Sequence, residues 1–288
     1  LLTSHPDAHL LTGGTDMMVE VNFNHRHPET VIALRKIPEF QMWNVDHNAG
    51  LVHIGSSVPY STMEHGDLAK ALPALAEAAR TVGSPQIRAA GSLGGNLGTC
   101  SPAGDSLPVL SALDAVVHLQ SESSNRSVSF AEFMVGPKRN SRLANEIITG
   151  VSIPITNGWQ GYAKVGVRNA MVISVASVCL AIHDNKVRVA LGSVGPTIIR
   201  CTESETWINS IGLTNIDHSL AKEFADHVRA ESRPIDDHRS TAEYRRHAVG
   251  AHRLARTPWP VVEDRPLGRM DERLRCKRST RIIATRDP

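Results

Sequence analysis

Aromatic residues make up only 4% of this 288-residue chain, so any core must be built from aliphatic side chains. No run of eighteen or more apolar residues occurs; the longest candidate, Met171 to Ile182, is broken by serines and reads as a strand. A basic start followed by a short apolar block and a small-residue cleavage site is also missing, so the chain reads as cytoplasmic. The four cysteines, Cys100, Cys179, Cys201 and Cys276, are scattered and form no CxxC pair. They read as free thiols, and they cannot ligate an iron–sulfur cluster or a structural zinc from this chain alone. No GxGxxG sits on a strand-to-helix turn, and no Walker lysine follows a glycine loop, which argues against a Rossmann site and against phosphoryl transfer.

What is present is enough apolar sequence, 41%, for a sizeable core, and enough length for about two domains. The net charge of +2 is unevenly spread: from Ala251 onward ten basic side chains face five acidic ones, which leaves the preceding 250 residues at −3. A mildly acidic body argues against nucleic-acid binding, and the basic tail around Arg273, Arg275, Lys277 and Arg278 has no interleaved aromatics. Such a run reads as solvated, and residues 258–288 are expected to be disordered.

Two glycine-bearing segments stand out, Thr12-Gly13-Gly14-Thr15-Asp16 and Gly91-Ser92-Leu93-Gly94-Gly95-Asn96-Leu97-Gly98-Thr99. Glycine accepts positive φ and has no Cβ, so consecutive glycines let peptide N–H groups converge on an anion. Taken alone, a Gly-Gly pair is more often an ordinary turn; taken together, two such loops could hold one diphosphate from both sides. Around them, Leu10 to Thr12, Val31 to Leu34 and Leu51 to Gly55 read as short strands. Leu68, Leu72, Leu75 and Ala79 recur at helical spacing, with Asp67 as a candidate N-cap and Pro73 as a kink or restart. Asp105 precedes a short helix marked by Leu107, Leu110 and Leu113; it can cap that helix or contact a ligand.

Ala115 to Leu119 and Glu146 to Pro154 read as strands, and Pro154 closes a first domain. Gly161 to Val167, Met171 to Ile182 and Lys186 to Ser193 form three longer β segments. Two helices follow, with Leu220, Phe224 and Val228 inward on the first and Tyr244, His247, Ala248 and Ala251 inward on the second. A sheet followed by helices predicts a separate α+β domain. The only close histidine pairs, His5 with His9 and His25 with His27, lack a third ligand at suitable spacing and read as surface side chains.

Several ordered motifs resemble one family. Leu11-Thr12-Gly13-Gly14-Thr15-Asp16, Ile37-Pro38-Glu39, Ile54-Gly55, Gly83-Ser84-Pro85-Gln86-Ile87-Arg88, Gly94-Gly95-Asn96-Leu97 and Ser101-Pro102-Ala103-Gly104-Asp105 are similar to the FAD-binding subunit of the molybdenum hydroxylases. That group includes xanthine dehydrogenase, aldehyde oxidoreductase and aerobic carbon monoxide dehydrogenase. Gly136-Pro137-Lys138-Arg139-Asn140, Arg168-Asn169-Ala170-Met171, Arg233-Pro234-Ile235-Asp236-Asp237 and Tyr244-Arg245-Arg246-His247 continue the resemblance, most like bacterial xanthine dehydrogenase flavin subunits. Coverage is nearly continuous from about residue 8 to 252.

The resemblance implies an α+β fold: an FAD-binding domain of the vanillyl-alcohol-oxidase (PCMH) type with two subdomains over 1–156, then a CO-dehydrogenase-flavoprotein-like C-terminal α+β domain over 157–257. It implies FAD contacts at Leu11, Thr12, Gly13, Gly14, Thr15, Asp16, Met17 and Met18, and at Ser92, Leu93, Gly94, Gly95 and Asn96 with Thr99 and Ser101 nearby. Asp105 matches the acidic residue on the adenosine side, Ile148 a packing position, and Val82 a position that is aromatic in some relatives. Lys164 matches a basic position close to the flavin, where a cation would favour the reduced anion; without the resemblance it reads as an exposed lysine on an edge strand.

No catalytic acid, base or nucleophile is then required of this chain. Hydroxylation would occur at a molybdopterin centre in a large partner, electrons would pass through iron–sulfur clusters in a small partner, and the flavin here would hand them to NAD+ or another acceptor. Relatives begin earlier, with a strand and helix that this chain lacks in part, and its ending departs from theirs. A cofactor-free subunit serving only assembly is therefore the alternative.

Overall fold

The computed structural model describes residues 1–213 and 216–250 and the backbone of Ile283–Ala284. The expected disorder of 258–288 and the inward Ala251 otherwise lie outside the described residues. The chain opens with a small parallel unit: β1 (His9–Leu11) pairs with β2 (Val31–Ala33), and α1 (Met17–Asn22) connects them. None of the residues of α1 is buried.

Next, β3 (Trp43–Asp46) and β4 (Leu51–Gly55) form an antiparallel hairpin. Six short helices then follow, α2 (Tyr60–Met63), α3 (Gly66–Ala71), α4 (Pro73–Thr81), α5 (Pro85–Ala90), α6 (Leu93–Thr99) and α7 (Leu107–Ala112). Pro73 is the first residue of α4 and restarts the helical path, since a proline needs no N–H there. Asp67 lies inside α3 and pairs with Lys70 rather than capping, the cap position being His65.

The chain returns through β5 (Val116–Gln120), β6 (Asn125–Ser129), α8 (Phe130–Phe133), the small ribbon β7 (Met134–Gly136) with β8 (Arg139–Asn140), and β9 (Ile147–Pro154). The first large sheet has the order β3-β4-β9-β5-β6. Strict alternation sends Val52, Ile54, Val117, Leu119, Val151 and Ile153 under the helices. On the opposite face His53, Ser152, His118 and Ser127 form a hydrogen-bonded row across four neighbouring strands.

The second sheet, of order β13-β12-β11-β10-β14, is formed by β10 (Gln160–Gly166), β11 (Ala176–His183), β12 (Lys186–Gly192) and β13 (Ile199–Arg200), with β14 (Ile283–Ala284) parallel to β10. Helices α9 (Thr202–Ile211), α10 (His218–Glu231) and α11 (Ala242–Gly250) follow. Leu180 and Ile182 pack with Phe224 and Val228 of α10, whereas Cys179 and Ala181 join the core beneath α4 and α7. The helices of the first unit are thus shared by both sheets.

Two expectations change here. Met171 to Ile182 is not one strand, because β11 begins only at Ala176. On α11 the buried residues are Arg245 and Val249, not Tyr244 or His247. Arg245 turns inward because its guanidinium serves the carbonyls of Val175 and Ser193 at 2.9 and 2.7 Å and the Asp237 carboxylate at 2.6 Å.

Candidate functional site

The first glycine segment is a turn between β1 and α1. Gly14 has φ +71°, a left-handed conformation that favours glycine. Carbonyls of the turn are used by Met18 N–H, on Gly14, and Val19 N–H, on Asp16, at 2.9 and 3.1 Å. The N–H groups of Gly13, Gly14, Thr15 and Asp16 donate to no other described residue. Four consecutive donors without protein partners, half-buried to exposed beside the start of α1, are open to solvent and to an acceptor-rich ligand.

The second segment is not a free loop. Gly91-Ser92 leads straight into α6, whose Ser92 hydroxyl accepts from Gly95 N–H at 3.1 Å, and the helix stops at Cys100 with φ +52°. The glycines there serve close packing: a Cβ on Gly94 would lie 2.4 Å from Ser56 Cβ. Likewise a Cβ on Gly13 would lie 1.8 Å from the Ala90 carbonyl oxygen, so the first turn rests directly on the approach to α6. Thr99 Oγ1 donates to Asp16 Oδ2 at 3.2 Å and ties the far end of α6 to the start of α1.

Between the two segments lies a cavity of about 700 Å³. Its wall brings together Leu11, Thr12, Gly13, Gly14, Thr15, Asp16, Met17, Val82, Ser92, Gly94, Gly95, Asn96, Thr99, Ser101, Asp105 and Ile148. Three expected residues are elsewhere. Met18 is 49% exposed on α1, Leu93 is buried in the core, and Lys164 is buried behind the wall. Residues that sequence reasoning missed also line the cavity, among them His9, Ser56, Tyr60, Lys138, Arg142 and Ile173. Ser56 Oγ and His9 Nδ1 are buried and have no hydrogen-bond partner among the described residues. Neither residue sits in a sequence pattern that marks it as a ligand.

Asp105 does not cap α7; that position is Ser106, which makes no side-chain cap, and the Asp105 carboxylate turns the other way. Its Oδ1 accepts from Tyr162 Oη at 3.0 Å, and its Oδ2 from Lys164 Nζ at 2.6 Å and Thr81 Oγ1 at 3.1 Å. Lys164 Nζ also donates to the Thr81 carbonyl at 3.1 Å. Burial pushes the Asp105 carboxyl above its usual range, opposed by the Lys164 charge and by the hydrogen bonds from Lys164, Tyr162 and Thr81. Burial likewise raises the Tyr162 phenol. Lys164 is therefore neither an exposed edge lysine nor a cation on the cavity wall. It is the partner that holds a wall residue.

The cysteines take no part: Cys100, Cys179 and Cys201 are buried, and burial pushes the Cys100 thiol up to about 12. Among the described residues no group of three or more His, Cys, Asp or Glu could hold a metal ion, and no helix is long and apolar enough to cross a membrane. A row of free backbone donors, a second glycine-packed helix start and two buried polar atoms without described partners, all on one cavity of about 700 Å³, fit a dinucleotide.

That fold and site define a flavoprotein oxidoreductase subunit. Residues 1–156 match the FAD binding domain in molybdopterin dehydrogenase, and residues 162–253 match the CO dehydrogenase flavoprotein C-terminal domain. The chain belongs to the FAD-binding medium subunits of the molybdenum hydroxylase family. It is 30% identical over 245 residues to the glyceraldehyde dehydrogenase medium chain of Sulfolobus acidocaldarius, covering 83% of this chain and 85% of that one. It is 31% identical over 264 residues to the nicotine 6-hydroxylase medium subunit of Paenarthrobacter nicotinovorans, covering 89% and 90%. Among solved structures, carbon monoxide dehydrogenase from Hydrogenophaga pseudoflava superposes with a TM-score of 0.77 at 25% identity, over 85% of this chain and 86% of that chain. Quinoline 2-oxidoreductase from Pseudomonas putida 86 shares the fold at a TM-score of 0.79 and 23% identity, over 86% and 87%.

Proposed function

We propose that this chain holds FAD between the Gly13 to Asp16 turn and the start of α6, and passes electrons from iron–sulfur clusters of a small partner subunit to NAD+ or another acceptor. In this reading a large partner carries the molybdopterin centre and the organic substrate, and the complex works in the cytoplasm, where its thiols stay reduced. The observation that carries it is the row of four N–H groups without a described protein partner, on residues that line one cavity with Ser92 and Gly94. FAD supplies both one-electron and hydride chemistry, which joining clusters to a nicotinamide requires.

The chain's own residues bind and orient. Backbone donors of the first turn and the Ser92 end of α6 hold the diphosphate, Val82 and Ile148 supply apolar wall, and Asp105 offers a fixed acceptor on the same wall. Lys164 acts through Asp105 as a positioning residue; because the pair is internally neutral, its field at the cavity is weaker than that of a lone cation.

The test is an absorption spectrum of the full chain after incubation with FAD and gel filtration, followed by NAD+ reduction by the assembled complex. Flavin bands travelling with the protein support the reading. A colourless protein points instead to a cofactor-free assembly role, and a coloured complex that reduces other acceptors but not NAD+ removes the nicotinamide step.

A further inference from the structure

Ser56 follows β4 and is fixed from both sides of its backbone. Its N–H donates to the Thr149 carbonyl at 2.9 Å, and its own carbonyl accepts from Gly94 N–H at 3.0 Å. The residue is 3% exposed, lines the cavity, and its hydroxyl has no partner among the described residues. Its Cβ is pressed against the first turn of α6, where the absence of a side chain on Gly94 makes room for it. Leaving a buried hydroxyl unpaired lowers the stability of the empty protein. Such a group is retained where something arriving later satisfies it.

We infer that Ser56 Oγ donates a hydrogen bond to the diphosphate of FAD, and that Ser56 is a binding residue of the site. The assignment rests on the FAD reading above. A hydroxyl can donate or accept, and beside other unshared donors it turns its proton toward a shared acceptor. That acceptor must also satisfy the unshared N–H groups of Gly13 to Asp16 on the same cavity. A cluster of donors on one cavity, with the Lys138 and Arg142 side chains on the same wall, favours the anionic oxygens of a phosphate.

The experiment titrates FAD-free full chain, wild type and Ser56→Ala, with FAD and separately with ADP, and melts both empty proteins. The expected result is a roughly tenfold weaker Kd for FAD, about 1.4 kcal/mol, with a parallel loss for ADP. The empty variant should melt at the same temperature as wild type or about 2–4 °C higher, because the unpaired hydroxyl is gone. A lower melting temperature for the empty variant would make Ser56 structural and overturn the inference. So would unchanged FAD affinity, or a loss seen with FAD but not ADP, which would move the contact to the flavin; in both cases wild-type FAD binding leaves the broader reading standing. Wild-type protein that binds neither ligand overturns both.

Discussion

Replacing Lys164 with Met removes the one positive charge among the described residues that touches Asp105, while keeping most of the lysine's apolar stem. The side chains of this pair are 1% and 6% exposed, so solvent cannot stand in for the missing partner. Breaking a buried pair from one side costs about 3–5 kcal/mol, mostly as an uncompensated buried charge. The loss reaches both domains, because Asp105 sits between α4 and β10: Thr81 and Tyr162 bond to the same carboxylate. Thermal melting of the full chain with and without FAD measures it. FAD retention should fall along with stability, since the Asp105 carboxylate forms part of the cavity wall.

The pH dependence separates this account from a simple packing loss. Burial already raises the Asp105 carboxyl, and without Lys164 it rises further. A carboxyl raised in the folded state contributes stability that is fully present below its ordinary value, about 3.9, and is lost as pH climbs through the raised one. The deficit of Lys164→Met relative to wild type should therefore shrink as pH falls from 8 toward 4. Adding Asp105→Asn removes the orphaned charge and should restore at least half of the lost stability, a non-additivity expected for residues in direct contact. A deficit that is constant with pH, or a double variant as unstable as the sum of the singles, would refute the reasoning.

Two further perturbations test other parts of the structure. Gly13→Ala places a methyl 1.8 Å from the Ala90 oxygen, so the first turn must lift off the end of α5; melting should show a loss of about 1–3 kcal/mol with at least tenfold weaker FAD binding. Burial first, and then the neighbouring His53, lower the pKa of His118, so its contribution is present above the ordinary histidine value and lost as pH falls through the lowered one. His118→Gln should accordingly flatten the fall in melting temperature on acidification below about pH 6.5, and equal acid sensitivity in the two proteins would contradict this.

The strands were legible where apolar residues alternate or run together next to turns, as at Leu51–Gly55, Ile147–Pro154 and Lys186–Gly192. The stretch from Gly83 to Thr99 was not, because its glycines read as loop. Yet Ser84 and Ser92 cap α5 and α6 with their hydroxyls, and Pro85 opens α5, so the signals of two helix starts were present in the chain. Helix α11 was misread for a different reason: hydrophobic periodicity cannot register an arginine that faces inward to serve two carbonyls. The turn at Gly13 to Asp16 could be proposed from glycine chemistry alone. Ser56 could not, since its role depends on which wall of which cavity its hydroxyl reaches, and only the packing of β4 against α6 sets that.

The two domains meet at the site through chemistry rather than through apolar contact alone. Tyr162 and Lys164 both come from β10 of the second sheet, yet both end on Asp105, which lines a cavity built mostly by the first domain, with Val172 and Ile173 added from the second. Tyr162 N–H is also held by the Glu77 carboxylate of α4 at 2.8 Å, so the strand is gripped at its backbone and at two side chains. Any ligand that fixes the Asp105 carboxylate in its present orientation also fixes the acceptor that β10 needs. Ligand binding and domain docking are therefore linked, and by reciprocity each must strengthen the other by the same free energy. FAD should raise the melting temperature of wild type by more than that of Lys164→Met at equal occupancy, because in the variant the carboxylate no longer transmits binding to the second sheet. An equal rise in both proteins would show that the pair holds the domains together without sensing the cavity.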